Sequence, residues 1–484
     1  MKINDKLIRP VVFFLFLILL FFLKRPCLNL PAFNDEWNYI TSILAVYDNH
    51  LNPFVTYWAY HPPVFFVFVA LLFKLFGCSL AVGRLAIMFF SLSTLYFTFL
   101  LGEKLYNKKT GFFAGLLLFF SPFFFAQCGL LYCDMLVTAL STAAIYYFVS
   151  GKRRGYLIAA TLLVLTKEPA ILTVIAIGIY QVILNLPEFT GKSRREEVSS
   201  KTKKLILETL FILSPLLFFL VWMILNKLLL GWFFFPLFTS LLERFSLFPD
   251  LMKWILRWTF REDFRIFFTG AVILAAFLSL FKKDIRKGFL KNELLLFAIL
   301  SLISILFFAG IQGKHYGFSM RYLLFLQPLL FLAGTAAVIQ LIKNKIAHTL
   351  VFLFSIFIFI NCWHSRGLPQ KDDLNLDYLN IVKIHKEAAG FLAKKFSSRL
   401  IVAALPVNNN LTLPVRGYVN RPLANVVDVP PETASQGTII VVSKYYRIWT
   451  DQAEEVIKFQ QKTNAALVKK FSRGDEEISI YALP

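Results

Sequence analysis

The chain has 484 residues, of which 57% are hydrophobic and only 17% charged, with 55 phenylalanines. A soluble domain carries about a quarter charged residues, so this composition excludes an ordinary soluble protein, and the lack of short alternating segments excludes a membrane barrel. The formal net charge of +22 is read as basic loops retained in the cytoplasm rather than as a nucleic-acid surface, because Lys and Arg cluster between the apolar runs.

The first apolar run, "PVVFFLFLILLFFL", follows Lys2, Lys6 and Arg9. No small-residue cleavage site comes after it, so a retained first helix is predicted over 8–25. The stretch "AFNDEWNYI" (32–40) comes next and places two adjacent carboxylates where that helix has ended. The run 62–77 opens with Pro62-Pro63 and is interrupted by Lys74. It predicts an interfacial or re-entrant helix, too short to span. Further helices are predicted over 82–101, 111–126, 134–150, 156–168, 170–186, 205–226, 265–281, 293–310, 322–341 and 346–362. With the first, these make about 11 spans across a core of about 30 Å.

The basic loops 102–111, 151–155, 191–204, 282–291 and 343–345 are all placed in the cytoplasm by the positive-inside rule. They agree only with a cytoplasmic N-terminus and a segment 62–77 that does not cross. Residues 26–81, the turns 127–134 and 167–169, the segment 227–264 and the loop 311–321 then lie outside, as does everything past 363. The segment 227–264 mixes aromatics with charge and predicts interfacial helices. The tail changes composition. "RLIVAALPV", "PLANVVDV", "TIIVVSKYY" and "EISIYALP" predict short buried strands, and 377–396 and 451–463 predict amphipathic helices. The expected architecture is a polytopic α-helical membrane domain over 1–362, with outer juxtamembrane helices in 26–81. A small extracytoplasmic α/β domain follows over 363–484. The five cysteines have no metal spacing, and Cys128 and Cys133 are placed to pair only if they face an oxidising compartment.

Ionisable residues at or near membrane depth are costly and mark function. Here they fall on the predicted outer side: Asp35, Glu36, His61, Arg84, Asp134, Lys167, Glu168, Lys314, His315 and Arg321. Each has a local explanation, such as Asp35 and Glu36 capping the helix that begins near Trp37. Their shared face is what such explanations leave over. Carboxylates with cations beside a bilayer suit transfer of a sugar from a lipid-phosphate carrier. A phosphate departs without needing a proton, so a base for the acceptor hydroxyl and cations for the leaving group suffice. A transporter or lipid flippase is the alternative. It would place charge near the midplane and show repeated halves, and neither is seen here.

These residues resemble the GT-C glycosyltransferases, in particular the protein O-mannosyltransferase and aminoarabinose transferase-like group. The matching elements are Asp35-Glu36-x-x-Tyr39, His61-Pro62-Pro63, Gly83-Arg84-Leu85, Gly102 to Lys109 with Ser121-Pro122, Asp134-Met135, Lys167-Glu168-Pro169, and Arg321-Tyr322 with Pro328. They are dense over 8–185 and thin beyond. His61 and Glu168 depart from the family's usual Lys and Gly, and no "WWDYG"-like motif of the oligosaccharyltransferases is present. The resemblance implies the GT-C fold and a donor sugar on polyprenyl or dolichyl phosphate. It implies Asp35 as the base, Glu36 as second choice, and Asp134 orienting the base or the acceptor. Lys167, Arg321 and His61 would hold the phosphate, with Tyr39, Arg84, Glu168 and Tyr322 lining the substrate site. The scheme needs no metal, though paired carboxylates also suit a divalent cation. The acceptor is a lipid, a glycan or a protein.

Overall fold

The computed structural model describes residues 5–55, 61–185, 195–234, 249–311, 319–364, 373–428, 436–445, 451–474 and 476–484. The apolar runs fold as helices because lipid offers no partner for a bare peptide group, and a helix satisfies its own. In chain order these begin with α1 (Asp5–Lys24), α2 (Glu36–Asp48), α3 (Val64–Phe76), α4 (Leu80–Leu105), α5 (Lys108–Phe120) and α6 (Pro122–Gln127). Then come α7 (Asp134–Val149), α8 (Arg153–Val164), α9 (Ile171–Asn185), α10 (Arg195–Leu213) and α11 (Pro215–Leu230). Further helices run over Pro249–Phe260, Arg265–Phe281, Glu293–Ile311, Gln327–Leu341 and Lys345–Asn361.

Among the described residues, six helices are long and apolar enough to cross a membrane, or up to eight when each of two bent pairs counts as one span. This is a multi-pass membrane protein, but the count is below the eleven helices expected. The run 111–126 breaks at Ser121, where Pro122 has no N–H to continue α5 and starts α6 instead. Helices α7 and α8 are only 16 and 12 residues long. The 13-residue α3 matches the short run 62–77 and begins directly after Pro63. The expected interfacial segment 227–264 lies partly outside the described residues. Within them, Pro249–Phe260 meets Arg265–Phe281 at a 91° bend.

Caps and small residues set the packing. Ser79 caps α4 by accepting from Val82 N at 3.3 Å, and Asn107 caps α5 by accepting from Thr110 N at 2.9 Å. Helices α4 and α5 cross at Gly102 and Gly111. A Cβ on Gly102 would lie 2.4 Å from Gly111 Cα, so only glycine allows that approach. Phenylalanines fill much of the interior, among them Phe16, Phe65, Phe66, Phe99 and Phe119, each fully buried.

The tail forms a five-stranded mixed sheet of β1 (Ile401–Ala403), β2 (Val426–Val427), β3 (Ile439–Ser443), β4 (Ala466–Arg473) and β5 (Glu476–Ala482), ordered β2-β1-β3-β5-β4. Strand β1 runs parallel to β2 and β3, whereas β5 runs antiparallel to β3 and β4. Alternation along the strands sorts the side chains. Ile401, Ala403, Ile439 and Val441 pack with helix Tyr378–Lys395, and Val402 and Ile440 pack with helix Asp451–Lys462.

The tail is stitched to the bundle. Ala32 N donates to Arg416 O at 2.8 Å, and Tyr418 OH donates to Ala32 O at 2.9 Å. Trp363 stacks on Phe125 at 3.9 Å, and its indole donates to Phe120 O at 2.9 Å. All five cysteines are free, Cys128 and Cys133 being buried.

Candidate active site

The loop that carries Asp35 is shaped by Arg84 of α4. Its guanidinium donates to the carbonyls of Cys27 (2.8 Å) and Pro31 (3.1 Å) and also to that of Leu30. Its remaining capacity goes to Glu36, 2.9 Å from Nη2 to Oε2. Glu36 also accepts from Phe33 N and Leu131 N, each at 2.7 Å. Both side chains are buried. They therefore tie α2, α4 and the 127–134 turn together. This corrects two sequence expectations. Glu36 has no lone pair free to act as a base, and Arg84 has no N–H free for substrate.

Asp35 sits at the N-cap of α2 and turns the other way. Its carboxylate meets Nη2 of Arg321. Arg321 enters from a 3₁₀ turn, Met320–Leu326, ahead of helix Gln327–Leu341. Its Nη1 donates to Asp373 Oδ2 at 2.8 Å, and its Nε lies 3.5 Å from Asp134 Oδ2. Asp134 opens α7, and its Oδ1 accepts from Lys167 Nζ at 2.7 Å. Lys167 stands in extended backbone between α8 and the turn Glu168–Ala170, which has Pro169 as its second residue. Tyrosine rings back both cations. Arg321 lies 4.3 Å from the Tyr132 ring centroid and Lys167 lies 4.1 Å from that of Tyr322.

A second tier lies alongside. His61 Nδ1 meets Glu168 Oε2 at 2.8 Å. The Tyr39 ring stacks on His61 at 6.3 Å, and its hydroxyl lies 3.4 Å from Cys133 Sγ, next in the chain to Asp134. Tyr39 is buried, so it forms a wall of the site and does not share the exposed edge of Asp35. Lys314 and His315 lie outside the described residues.

The cluster is dry on one side and open on the other. Asp134, Arg321 and Asp373 have side-chain exposures of 3%, 3% and 1%, against 37% for Asp35. Two cations face three carboxylates, and only the Asp35 carboxylate reaches solvent. Asp134 Oδ2 and Arg321 Nε face one another just short of a hydrogen bond, and neither has another hydrogen-bond partner. Asp373 is the member that sequence reading missed. Burial pushes its pKa up, while Arg321 opposes the shift. Its backbone carbonyl accepts from Gln127 Nε2 at 2.6 Å, which fixes the segment beyond the last span against α6. Nothing in "KDDLNLDY" (371–378) distinguishes it from a solvated run.

Among the described residues, no three His, Cys, Asp or Glu side chains converge as a metal site. A divalent cation here would have to displace Arg321 or Lys167 from its carboxylates.

The fold is that of the GT-C class, a polytopic helical domain that gathers this cluster at the ends of several helices. The comparisons with known proteins agree. Residues 60–222 match the family described as dolichyl-phosphate-mannose-protein mannosyltransferase. The crystal structure of ArnT from Cupriavidus metallidurans in the apo state is similar at a TM-score of 0.52 and 13% identity, covering 98% of this chain and 97% of that one. The same protein bound to undecaprenyl phosphate is similar at a TM-score of 0.56 and 13% identity, covering 97% of each chain. No curated protein matches. The resemblance read from the sequence therefore stands, and the GT-C fold extends well beyond the stretch that carries the motifs.

Proposed function

We propose that this chain is a membrane glycosyltransferase. It moves a sugar from a polyprenyl-phosphate carrier to a hydroxyl acceptor by a single inverting displacement. The observation that carries this reading is the half-exposed carboxylate of Asp35 lying on Arg321, with Lys167 behind it. The family match over 60–222 and the fold shared with a protein crystallised with undecaprenyl phosphate support the carrier chemistry.

In the proposed reaction the carrier phosphate takes the N–H groups of Arg321 that face Asp35. Asp35 is then free to accept the proton of the acceptor hydroxyl. The acceptor oxygen forms a bond to the anomeric carbon as the bond from that carbon to the phosphate oxygen breaks. The electron pair leaves with the phosphate, whose added charge Arg321 and Lys167 stabilise from buried positions. Asp134 orients both cations. The His61–Glu168 pair and Tyr39 line the sugar side, and Tyr322 backs Lys167. No step is routed through a metal.

Active site and C-terminal sheet are assigned to the outer face of the cell membrane, with a cytoplasmic N-terminus, in line with the basic loops. The charges sit at helix ends and not at mid-helix, which offers no support for a transporter. The test uses purified chain and a radiolabelled polyprenyl-phosphate sugar. Asp35→Asn is expected to lower transfer by roughly 10²–10⁴-fold while the protein remains folded, and full transfer by this variant would remove Asp35 as the base.

A further inference from the structure

The helical hairpin of α7 and α8 carries Asp134 at one end and leads to Lys167 at the same end. Helix α7 has 16 residues and so spans about 24 Å. At its far end lies a cavity of ≈ 180 Å³ with no part in the proposed reaction. Tyr147, Tyr156 and Phe211 give it an apolar floor, and Arg153, Glu208 and Gln181 ring its mouth. The floor is built. Gly155 lets the Tyr147 ring lie flat, since a Cβ there would come within 2.7 Å of Cδ1. Tyr156 OH donates to Ile212 O at 2.8 Å and pins α8 to α10.

The mouth presents both signs of charge. Glu208 Oε2 accepts from Gln181 Nε2 at 3.0 Å. Its Oε1 lies 3.7 Å from Arg153 Nη2, beyond hydrogen-bond reach. Arg153 rests over the Phe211 ring at 5.5 Å, with its side chain 71% exposed. The pair is therefore loose, and each member has hydrogen-bonding capacity to spare. Apolar side chains stand exposed on the two flanking helices, Ile158 and Leu162 on α8 and Leu207 and Leu210 on α10. They give both helices exposed apolar surface within about three turns of Arg153 and Glu208.

We infer that this cavity binds the headgroup of a phospholipid bearing a primary ammonium, of the phosphatidylethanolamine kind. The ammonium donates to Glu208 Oε1 and the phosphate accepts from Arg153, which is the charge order that the mouth offers. The acyl chains lie along the exposed apolar residues of α8 and α10, which is why the ligand is a lipid and not a soluble zwitterion. Choline has no N–H to give Glu208, and an anionic headgroup meets the Glu208 carboxylate without a compensating cation of its own.

The test uses the purified full chain with added dioleoyl phosphatidylethanolamine, phosphatidylcholine or phosphatidylglycerol. Lipid retention is read by native mass spectrometry, and thermal unfolding is read in each lipid. The wild type is expected to retain phosphatidylethanolamine and to unfold at a higher temperature in it than in the other two. Glu208→Gln is expected to lose about tenfold in that affinity while unfolding in phosphatidylcholine as the wild type does. Arg153→Gln, at an exposed position that tolerates change, is expected to weaken retention similarly. Equal retention of the three lipids by the wild type overturns the inference. So does an undiminished preference for phosphatidylethanolamine in both variants.

Discussion

Asp35 and Glu36 adjoin in the chain, yet their carboxylates are held by different arginines. Asp35 meets Arg321 and stays partly open to solvent, whereas Glu36 is locked against Arg84 with no exposure. One carboxylate is open to solvent and the other is enclosed within the fold. Asp35→Asn should therefore lower kcat by roughly 10²–10⁴, the range of a positioned general base, with little loss of stability. Glu36→Gln should do the reverse. It leaves a buried guanidinium short of its counter-charge, at a cost of about 3–5 kcal/mol. Transfer assays beside thermal unfolding in detergent separate the two. An Asp35→Asn variant that unfolds as readily as Glu36→Gln would refute the division.

Arg321 reaches Asp35, Asp373 and Asp134 from a single planar group. An ammonium on a flexible stem cannot span three acceptors in that geometry. Arg321→Lys keeps the charge, yet should lower kcat/KM for the lipid-linked donor by roughly 10²-fold, about twice the 1.4 kcal/mol that makes a tenfold change. Steady-state kinetics with varied donor provide the check. A change confined to the KM of the acceptor would place Arg321 away from the phosphate.

Much of this site was legible in the sequence, and for one reason. Asp134, Lys167 and Arg321 interrupt or bound long apolar runs on one predicted face, where ions are costly and mark function. Asp35 was legible through its place after the first helix. The roles of Glu36 and Arg84 were not, because a residue name does not say whether its hydrogen bonds are already spent on backbone carbonyls 53 to 57 positions away. Asp373 was hidden for the opposite reason. It lies in a polar stretch among Lys371, Asp372 and Asp377, where any acid looks solvated, and only the docking of that stretch on Gln127 buries it. Of the roughly eleven expected spans, α7 and α8 have the apolar composition but only 16 and 12 residues, and the run 111–126 breaks at Ser121.

The burial of Asp373 leads to a further expectation. Its carboxylate is an almost fully enclosed partner of Arg321 at 2.8 Å. Asp373→Asn removes that counter-charge and should destabilise the protein by about 3 kcal/mol, with lost activity. Glu387→Gln is the control. Its partner Arg473 lies 2.6 Å away, but both side chains are about half exposed, at 47% and 45%, and surface pairs contribute little. Thermal unfolding of the two variants side by side is the measurement. Equal stability would mean that Arg321 is adequately held by Asp35 and Asp134 alone.

The C-terminal sheet should be acid-sensitive through His385. This side chain on helix Tyr378–Lys395 is buried, and its Nε2 lies 3.0 Å from Ser443 Oγ on β3. Burial pushes its pKa down from 6.5 to about 3. The folded state thus resists a proton that the unfolded chain accepts. Stability from keeping His385 neutral is fully present above pH 6.5 and is lost as pH falls from 6.5 toward 3. Within that window the loss approaches about 1.4 kcal/mol per pH unit. Limited proteolysis of the full chain at pH 7.5, 6.5 and 5.5 should show increasing cleavage within 378–484 at the lowest value. His385→Gln retains a hydrogen-bonding group but cannot titrate, so its cleavage should vary much less between pH 6.5 and 5.5. If wild type and variant respond to pH alike, another group governs the acid response of the sheet.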